Sequence, residues 1–172
     1  MRAFFVVAVA VILGFVLSPL LRADAACTPS PEASARTPGT WSDEQLANAR
    51  IIVTAGTERR VPHQGVVIAV ATALQESGLR NLRGGDRDSI GLFQQRPSQG
   101  WGTPKQLRDP AYQTQKFYDK LLEVEGWQAM RLTEAAQAVQ VSAYPEAYTK
   151  HTRAASALVE ALSAPATCAS EA

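Results

Sequence analysis

The stretch at 66–78, VVIAVATALQESG, decides the fold of this chain. Residues 66–75 contain no charged side chain, which favours a helix that is buried in a protein core. Gly78 is well placed to end that helix, because glycine adopts the left-handed backbone conformation of a C-terminal cap without strain. We therefore predict a buried helix over 66–77 with one acidic residue, Glu76, in its last turn.

Capped or amphipathic segments on both sides of this stretch predict further helices. Ser42 and Gln45 have the spacing of a capping box at the start of the first one. The predicted helices cover 42–56, a segment that starts at Thr103, 112–124, 133–141 and 146–162. No long alternating run predicts a strand. The fold class is therefore all-α, or α+β at most, with a glycine-rich loop or short hairpin at 81–102 beside the Glu76 helix.

Residues 1–25 have the pattern of a secretory signal peptide. Arg2 precedes an uncharged apolar run, and the small-x-small sequence at 23–25 fits a cleavage site. We expect a secreted, extracytoplasmic protein, or one held at the outer face of the membrane. The alternative is an uncleaved segment that tethers the chain to the membrane, because the run at 4–21 is close to the ~20 residues needed to span a bilayer.

The rest of the chain divides into a linker, one domain and a tail. Residues 26–41 are rich in Pro, Ser and Thr and form a tether, residues 42–164 form the domain, and residues 165–172 form the tail.

Cys27 and Cys168 lie at opposite ends and could join the termini in a disulfide in an oxidising compartment. Two free thiols, or a lipid on Cys27, are the alternatives.

The charge balance excludes some classes of partner. Residues 26–172 contain equal numbers of acidic and basic side chains, which argues against nucleic-acid binding and against intrinsic disorder.

His63 and His151, the only histidines, have no Cys or Glu at metal-ligand spacing. The sequence therefore predicts no metal and no other cofactor.

Glu76 is the candidate catalytic acid. The same face of its helix contains the small residues Ala69, Thr72 and Ala73, so a cleft or a second helix can approach it closely. Partial burial and the negative end of the helix dipole both raise the pKa of a carboxyl, as a general acid requires. The alternative is a solvated carboxylate at a frayed helix end, paired with Arg80.

Three motifs around Glu76 resemble the signature of lytic transglycosylases and goose-type lysozymes. They are ALQESG at 73–78, SIGLFQ at 89–94 and SAYP at 142–145. The segment is also similar to small secreted actinobacterial members of this lysozyme-like superfamily, over about 46–148. The resemblance implies a lysozyme-like helical domain that cleaves MurNAc–GlcNAc bonds in peptidoglycan glycan strands.

The resemblance also implies roles for single residues. Glu76 would be the catalytic acid/base, Ser77 would orient it, and the cleft would be lined by Gly91, Leu92, Gln94 and Tyr144, the last near the glutamate. Phe93 replaces the usual methionine, and Pro145 replaces an asparagine and so removes a side-chain amide. The Pro145 departure motivates the alternative function, a non-catalytic wall-binding or secretion-accessory module.

The number of carboxylates decides the reaction. Inverting hydrolysis needs a second carboxylate ~6.5–9.5 Å from the acid, and Asp86 and Asp88 are the candidates. The alternative is that both stabilise turns beside glycine. With Glu76 alone, the resemblance implies cleavage without water. Glu76 would protonate the glycosidic oxygen and then take the proton of the sugar's own 6-hydroxyl, which leaves a 1,6-anhydro-muramoyl end.

The glycine-rich segment contains further binding candidates. Trp101, between Gly100 and Gly102, could stack on a sugar face, although packing in the core is the alternative for any tryptophan. A group of arginines could contact peptide-stem carboxylates or simply form a solvated basic face. They are Arg80, Arg83, Arg87 and Arg96.

Overall fold

The computed structural model describes residues 41–142, 144 and 146–164. The α-helices in these ranges are α1 (Asp43–Glu58), α2 (His63–Ser77), α3 (Pro110–Glu123), α4 (Leu132–Gln140) and α5 (Thr152–Ser163). Short 3₁₀ turns lie at Pro97–Gln99, Gln106–Arg108, Trp127–Ala129 and Thr149–His151. The described part contains no strand, which confirms the all-α class. The alternative of a hairpin in the glycine-rich segment reduces to one antiparallel bridge between Ile90 and Gln95.

Helix α2 lies at the centre of the core and contacts each of the other four helices. Residues 65–74 of this helix are all buried, as the charge-free sequence predicts. The helix begins at His63, three residues earlier than predicted, because Pro62 already provides the extended backbone of a helix N-cap. It ends at Ser77, where Gly78 adopts φ +63° and donates its N–H to Leu74 O. The predicted glycine cap is confirmed.

The predicted start of α1 is also confirmed. The Ser42 side chain accepts from the Gln45 N–H, and the Gln45 side chain accepts from the Ser42 N–H at 2.9 Å. Gln45 then donates to Gly78 O at 2.8 Å, and Asn48 donates to Leu79 O at 2.9 Å. The first helix therefore holds the C-terminal end of α2, where Glu76 lies.

Several other predicted boundaries are wrong. Thr103 and Gln106 do exchange cap hydrogen bonds, but only a 3₁₀ turn follows, and α3 begins at Pro110 with Asp109 as its N-cap. Thr133 is buried inside α4, which begins after Arg131. The last predicted helix is divided, because the chain forms turns before α5 starts at Thr152. Local capping signals mark turns here, and packing decides which of them continue as helix.

Predictions about the two ends of the chain lie outside the described residues. These are the signal peptide or anchor, most of the linker, the tail and the pairing of Cys27 with Cys168. Within 41–142, 144 and 146–164, every helix is too short or too polar to cross a bilayer.

Candidate active site

Glu76 lies half-buried in the last turn of α2, where two other segments meet it. Tyr148, which is fully buried, donates its hydroxyl hydrogen to Glu76 Oε1 at 2.9 Å. Gln140, the last residue of α4, donates a second hydrogen bond to the same carboxyl. The carboxyl therefore lies at the edge of the core beside two uncharged donors, Tyr148 and Gln140.

Burial raises the pKa of the Glu76 carboxyl above its ordinary value, and the hydrogen bonds from Tyr148 and Gln140 oppose that change without reversing it. Burial, together with the neighbouring Glu76 carboxylate, also raises the pKa of Tyr148, so the phenol keeps its proton and remains a donor. The net result is a carboxyl that retains its proton to a higher pH than an exposed glutamate.

A stability prediction follows from this pKa. Because folding raises the pKa of Glu76, its ionised form destabilises the folded state at neutral pH. We expect Glu76→Gln to increase the free energy of unfolding at pH 7 by about 1 kcal/mol, because the substitution removes a half-buried negative charge from a functional site. The gain should disappear below the ordinary glutamate pKa of 4.5, where the carboxyl is protonated in both states. Urea unfolding at the two pH values measures it, and an equal gain at both would contradict the assignment.

Ser77 fixes the glycine-rich loop to α2. Its Oγ lies 2.7 Å from Leu92 O, to which it donates, and it accepts from the Arg80 N–H at 3.2 Å. The Leu92 side chain is fully buried. Gly91 has φ +78°, and a side chain there would collide with Gln113 and with Leu107 O. The structure therefore brings Ser77, Gly91 and Leu92 together beside Glu76, with contacts that position the loop.

Two glutamines that the sequence analysis did not select link this loop to the helices. Gln113 is fully buried; its Oε1 accepts from the Phe93 N–H at 2.9 Å, and its Nε2 donates to Leu107 O at 2.6 Å. Gln140 donates to Phe93 O at 2.9 Å in addition to Glu76. The backbone N–H and the backbone carbonyl of Phe93 are therefore both hydrogen-bonded to glutamine side chains. The sequence does contain a sign that Gln113 is buried, because it lies four residues before Phe117 and so shares the apolar face of α3.

The tyrosine beside the glutamate is Tyr148, so the placement of Tyr144 against Glu76 is wrong. The Tyr144 side chain is 74% exposed, whereas Tyr148 is buried where the chain re-enters the core before α5. A role for Tyr144 in substrate binding stays a prediction. The neighbouring positions of that motif, Ala143 and Pro145, lie outside the described residues.

Asp88 is engaged in stabilising the loop. Its carboxylate accepts hydrogen bonds from the Ser98 N–H at 2.8 Å, from Arg96 Nε at 2.6 Å and from Ser98 Oγ at 3.0 Å. These bonds, the Ser98 amide first, hold the pKa of Asp88 well below its usual range. Asp86 is almost fully exposed, with Arg87 at 3.9 Å. The contacts of Asp88 favour turn stabilisation over the role of a second carboxylate, whereas the Asp86 carboxylate projects into solvent.

Gln94 makes a contact within its own loop, and its role in lining the cleft stays a prediction, whereas Trp101 lines a separate cavity. Gln94 has φ +48° and donates its side-chain amide to Gly91 O at 3.0 Å, within its own loop. Trp101 lines a cavity formed with side chains of α3 and the C-cap residue of α1, and neither Glu76 nor Tyr148 lines that cavity. The structure therefore separates Trp101 from the Glu76 site.

Among the described residues, no group of three or more His, Cys, Asp or Glu side chains is arranged to hold a metal ion. His151 Nε2 lies 3.1 Å from Gln75 Oε1. No protein-family model matches the chain, and a comparison with curated proteins found no match.

Proposed function

We propose that this protein is a secreted, peptidoglycan-cleaving glycosidase of the lytic transglycosylase type, with Glu76 as its acid/base. The observation that supports this most is the half-buried Glu76 carboxyl, whose pKa burial raises while two neutral donors orient it. A carboxyl that is both protonated and fixed is what acid catalysis of glycosidic cleavage requires. The three ordered motifs favour a MurNAc–GlcNAc substrate.

The proposed reaction uses one carboxyl twice. Protonated Glu76 donates its proton to the glycosidic oxygen, the bond from that oxygen to C1 of MurNAc breaks, and positive charge develops on the sugar ring. The 6-hydroxyl oxygen of the same MurNAc then bonds to C1, and its proton returns to the Glu76 carboxylate. The products are a free GlcNAc hydroxyl and a 1,6-anhydro-MurNAc end, and the enzyme is restored.

The hydrogen-bonding of Asp88 supports this route over hydrolysis. A general base must offer a carboxylate oxygen to water at a pKa near the working pH. Both oxygens of Asp88 instead bind Arg96 and Ser98, and its pKa is low. In the proposed route Glu76 therefore serves as both acid and base, and the sugar supplies the nucleophile.

We expect Asp88→Asn to lower the rate of wall cleavage by less than about tenfold, through loosening of the loop, and Asp86→Asn to leave it unchanged. A water-activating base would instead contribute about 10²–10⁴-fold. Release of soluble fragments from purified wall measures both variants. A loss of several hundredfold in Asp88→Asn would show that it is a second catalytic carboxylate.

We expect Tyr148→Phe to move the alkaline limb of the kcat/KM profile to higher pH. The Tyr148 hydroxyl stabilises the ionised carboxylate, so its removal raises the pKa of Glu76 further. Glu76 acts first as an acid, and its active form therefore persists to higher pH in the variant. Tyr144→Phe, which removes an exposed hydroxyl, is the matched control and should leave the limb in place. A limb that moves to lower pH in Tyr148→Phe would contradict this assignment.

Digestion of purified peptidoglycan by the full chain tests the proposal. We expect soluble muropeptides whose masses are lower by one water than those of hydrolysis products. Fragments with the full hydrolytic mass would make the enzyme a muramidase. A chain that sediments with the wall and releases no fragment would be the non-catalytic wall-binding module, and the enzymatic proposal would be wrong.

A further inference from the structure

The segment around Trp101 holds this residue in a defined position. Gly100 ends the turn Pro97–Gln99 with φ +79°, and Gly102 has φ +148°. A side chain at Gly102 would come within 2.6 Å of Tyr112 Oη, so only glycine lets the segment lie against that ring. Tyr112 Oη in turn donates to Trp101 O at 3.2 Å. The backbone on both sides of Trp101 is therefore constrained at the rim of the cavity that this residue lines.

Trp101 lines an open cavity of about 440 Å³, within the range of small-ligand sites. The other lining side chains come from Arg59, at the end of α1, and from the exposed side of α3. Trp101 is half-buried, and its indole N–H has no hydrogen-bond acceptor among the described residues. The cavity thus offers a ring face and a free donor.

The charges in this cavity favour an anionic ligand. Asp119 is paired with Arg59 at 2.8 Å and with Lys116 at 3.6 Å, and Lys120 lies 3.9 Å from Glu123. Three cationic groups therefore face two carboxylates. The lysine pairs are long and exposed, and Lys116 Nζ also lies 5.7 Å from the centroid of the Tyr112 ring. Exposed contacts of both kinds contribute little to stability, so both ammonium groups can turn to a ligand at small cost.

We propose that this cavity binds a sugar ring that bears a carboxylate. The ring would stack on Trp101, the carboxylate would meet Lys116 and Lys120, and hydroxyl groups would hydrogen-bond to Glu123. The inference rests on the proposed function for the choice of sugar, N-acetylmuramic acid, which differs from N-acetylglucosamine by a lactyl carboxylate. Because Glu76 is outside the cavity, this is a second contact with the glycan strand.

Titration of the full-length Glu76→Gln variant with the two free sugars tests this inference. The readout is the indole ¹H–¹⁵N signal of Trp101, assigned by its loss in Trp101→Phe. We expect N-acetylmuramic acid to shift this signal with a Kd about fivefold lower than that of N-acetylglucosamine, the scale of one exposed charge pair. Lys116→Gln should reduce the difference, and Lys116→Gln combined with Lys120→Gln should abolish it. The control Lys105→Gln, an exposed lysine outside the cavity, should keep it.

Equal affinities for the two sugars, or a Trp101 signal that neither sugar moves, would overturn the inference. A fivefold preference that survives in Lys116→Gln would overturn the assigned carboxylate contact. The two proposals can fail separately. Wall cleavage by the wild type without a Trp101 response refutes only the second contact, whereas a Trp101 response in a chain that cleaves no wall refutes only the proposed activity.

Discussion

Glu76→Gln is expected to lower the rate of muropeptide release by about 10³-fold, within the range that a positioned acid/base contributes. Glutamine has nearly the same shape and can still accept the hydrogen bond from Tyr148, which in the wild type is 2.9 Å long. It has no acidic proton to give to the glycosidic oxygen and no carboxylate to take one back. The variant site would therefore keep its geometry and lose its acid/base function.

The matched control is Glu58→Gln, since Glu58 is an exposed glutamate in the last turn of the neighbouring helix α1. It removes the same charge from an equivalent position without touching the site, and we expect an unchanged rate. Initial rates of fragment release from purified wall, at equal concentrations of folded protein, compare the two. A Glu76→Gln rate within tenfold of the wild type would show that another group supplies the proton.

Gln113→Leu is expected to destabilise the domain by about 3 kcal/mol. The substitution leaves two groups, the Phe93 N–H and Leu107 O, without the partners that Gln113 provides at 2.9 and 2.6 Å. A buried polar group left unpaired costs about 1–3 kcal/mol, and leucine cannot replace either bond. Because Phe93 also binds Gln140, the same change should loosen the support of Glu76.

Urea unfolding of the two proteins at neutral pH measures this loss. Gln128→Leu, which changes an exposed glutamine in the turn after α3, is the control and should lie within about 0.5 kcal/mol of the wild type. A loss below about 1 kcal/mol in Gln113→Leu would mean that water or a rearranged backbone satisfies the two groups.

The features predicted correctly from the sequence are those set by local signals. The charge-free run at 66–75 predicted the buried helix, Gly78 its end, and Ser42 with Gln45 the start of α1. The small residues behind Glu76 indicated that another segment could approach it, and Tyr148 and Gln140 do so. Each of these signals acts within a few turns of one helix.

The features that were missed depend on contacts between distant parts of the chain. Tyr144 fits a local motif, but the tyrosine that packs on Glu76, 72 residues away in sequence, is the one at the buried position, Tyr148. The roles of Gln113 and Gln140 arise only when the loop at 91–94 lies between two helices. In the same way, sequence alone could not decide which cavity Trp101 would line.

The most direct test of the central claim is an NMR titration of the Glu76 carboxyl carbon, assigned by comparison with Glu76→Gln. The claim is that this half-buried group holds a transferable proton. We expect its midpoint to lie above the ordinary glutamate value of 4.5, because burial raises the pKa. A midpoint at or below 4.5 would show that burial does not keep the proton on this carboxyl, and the claim that Glu76 serves as the acid would be contradicted.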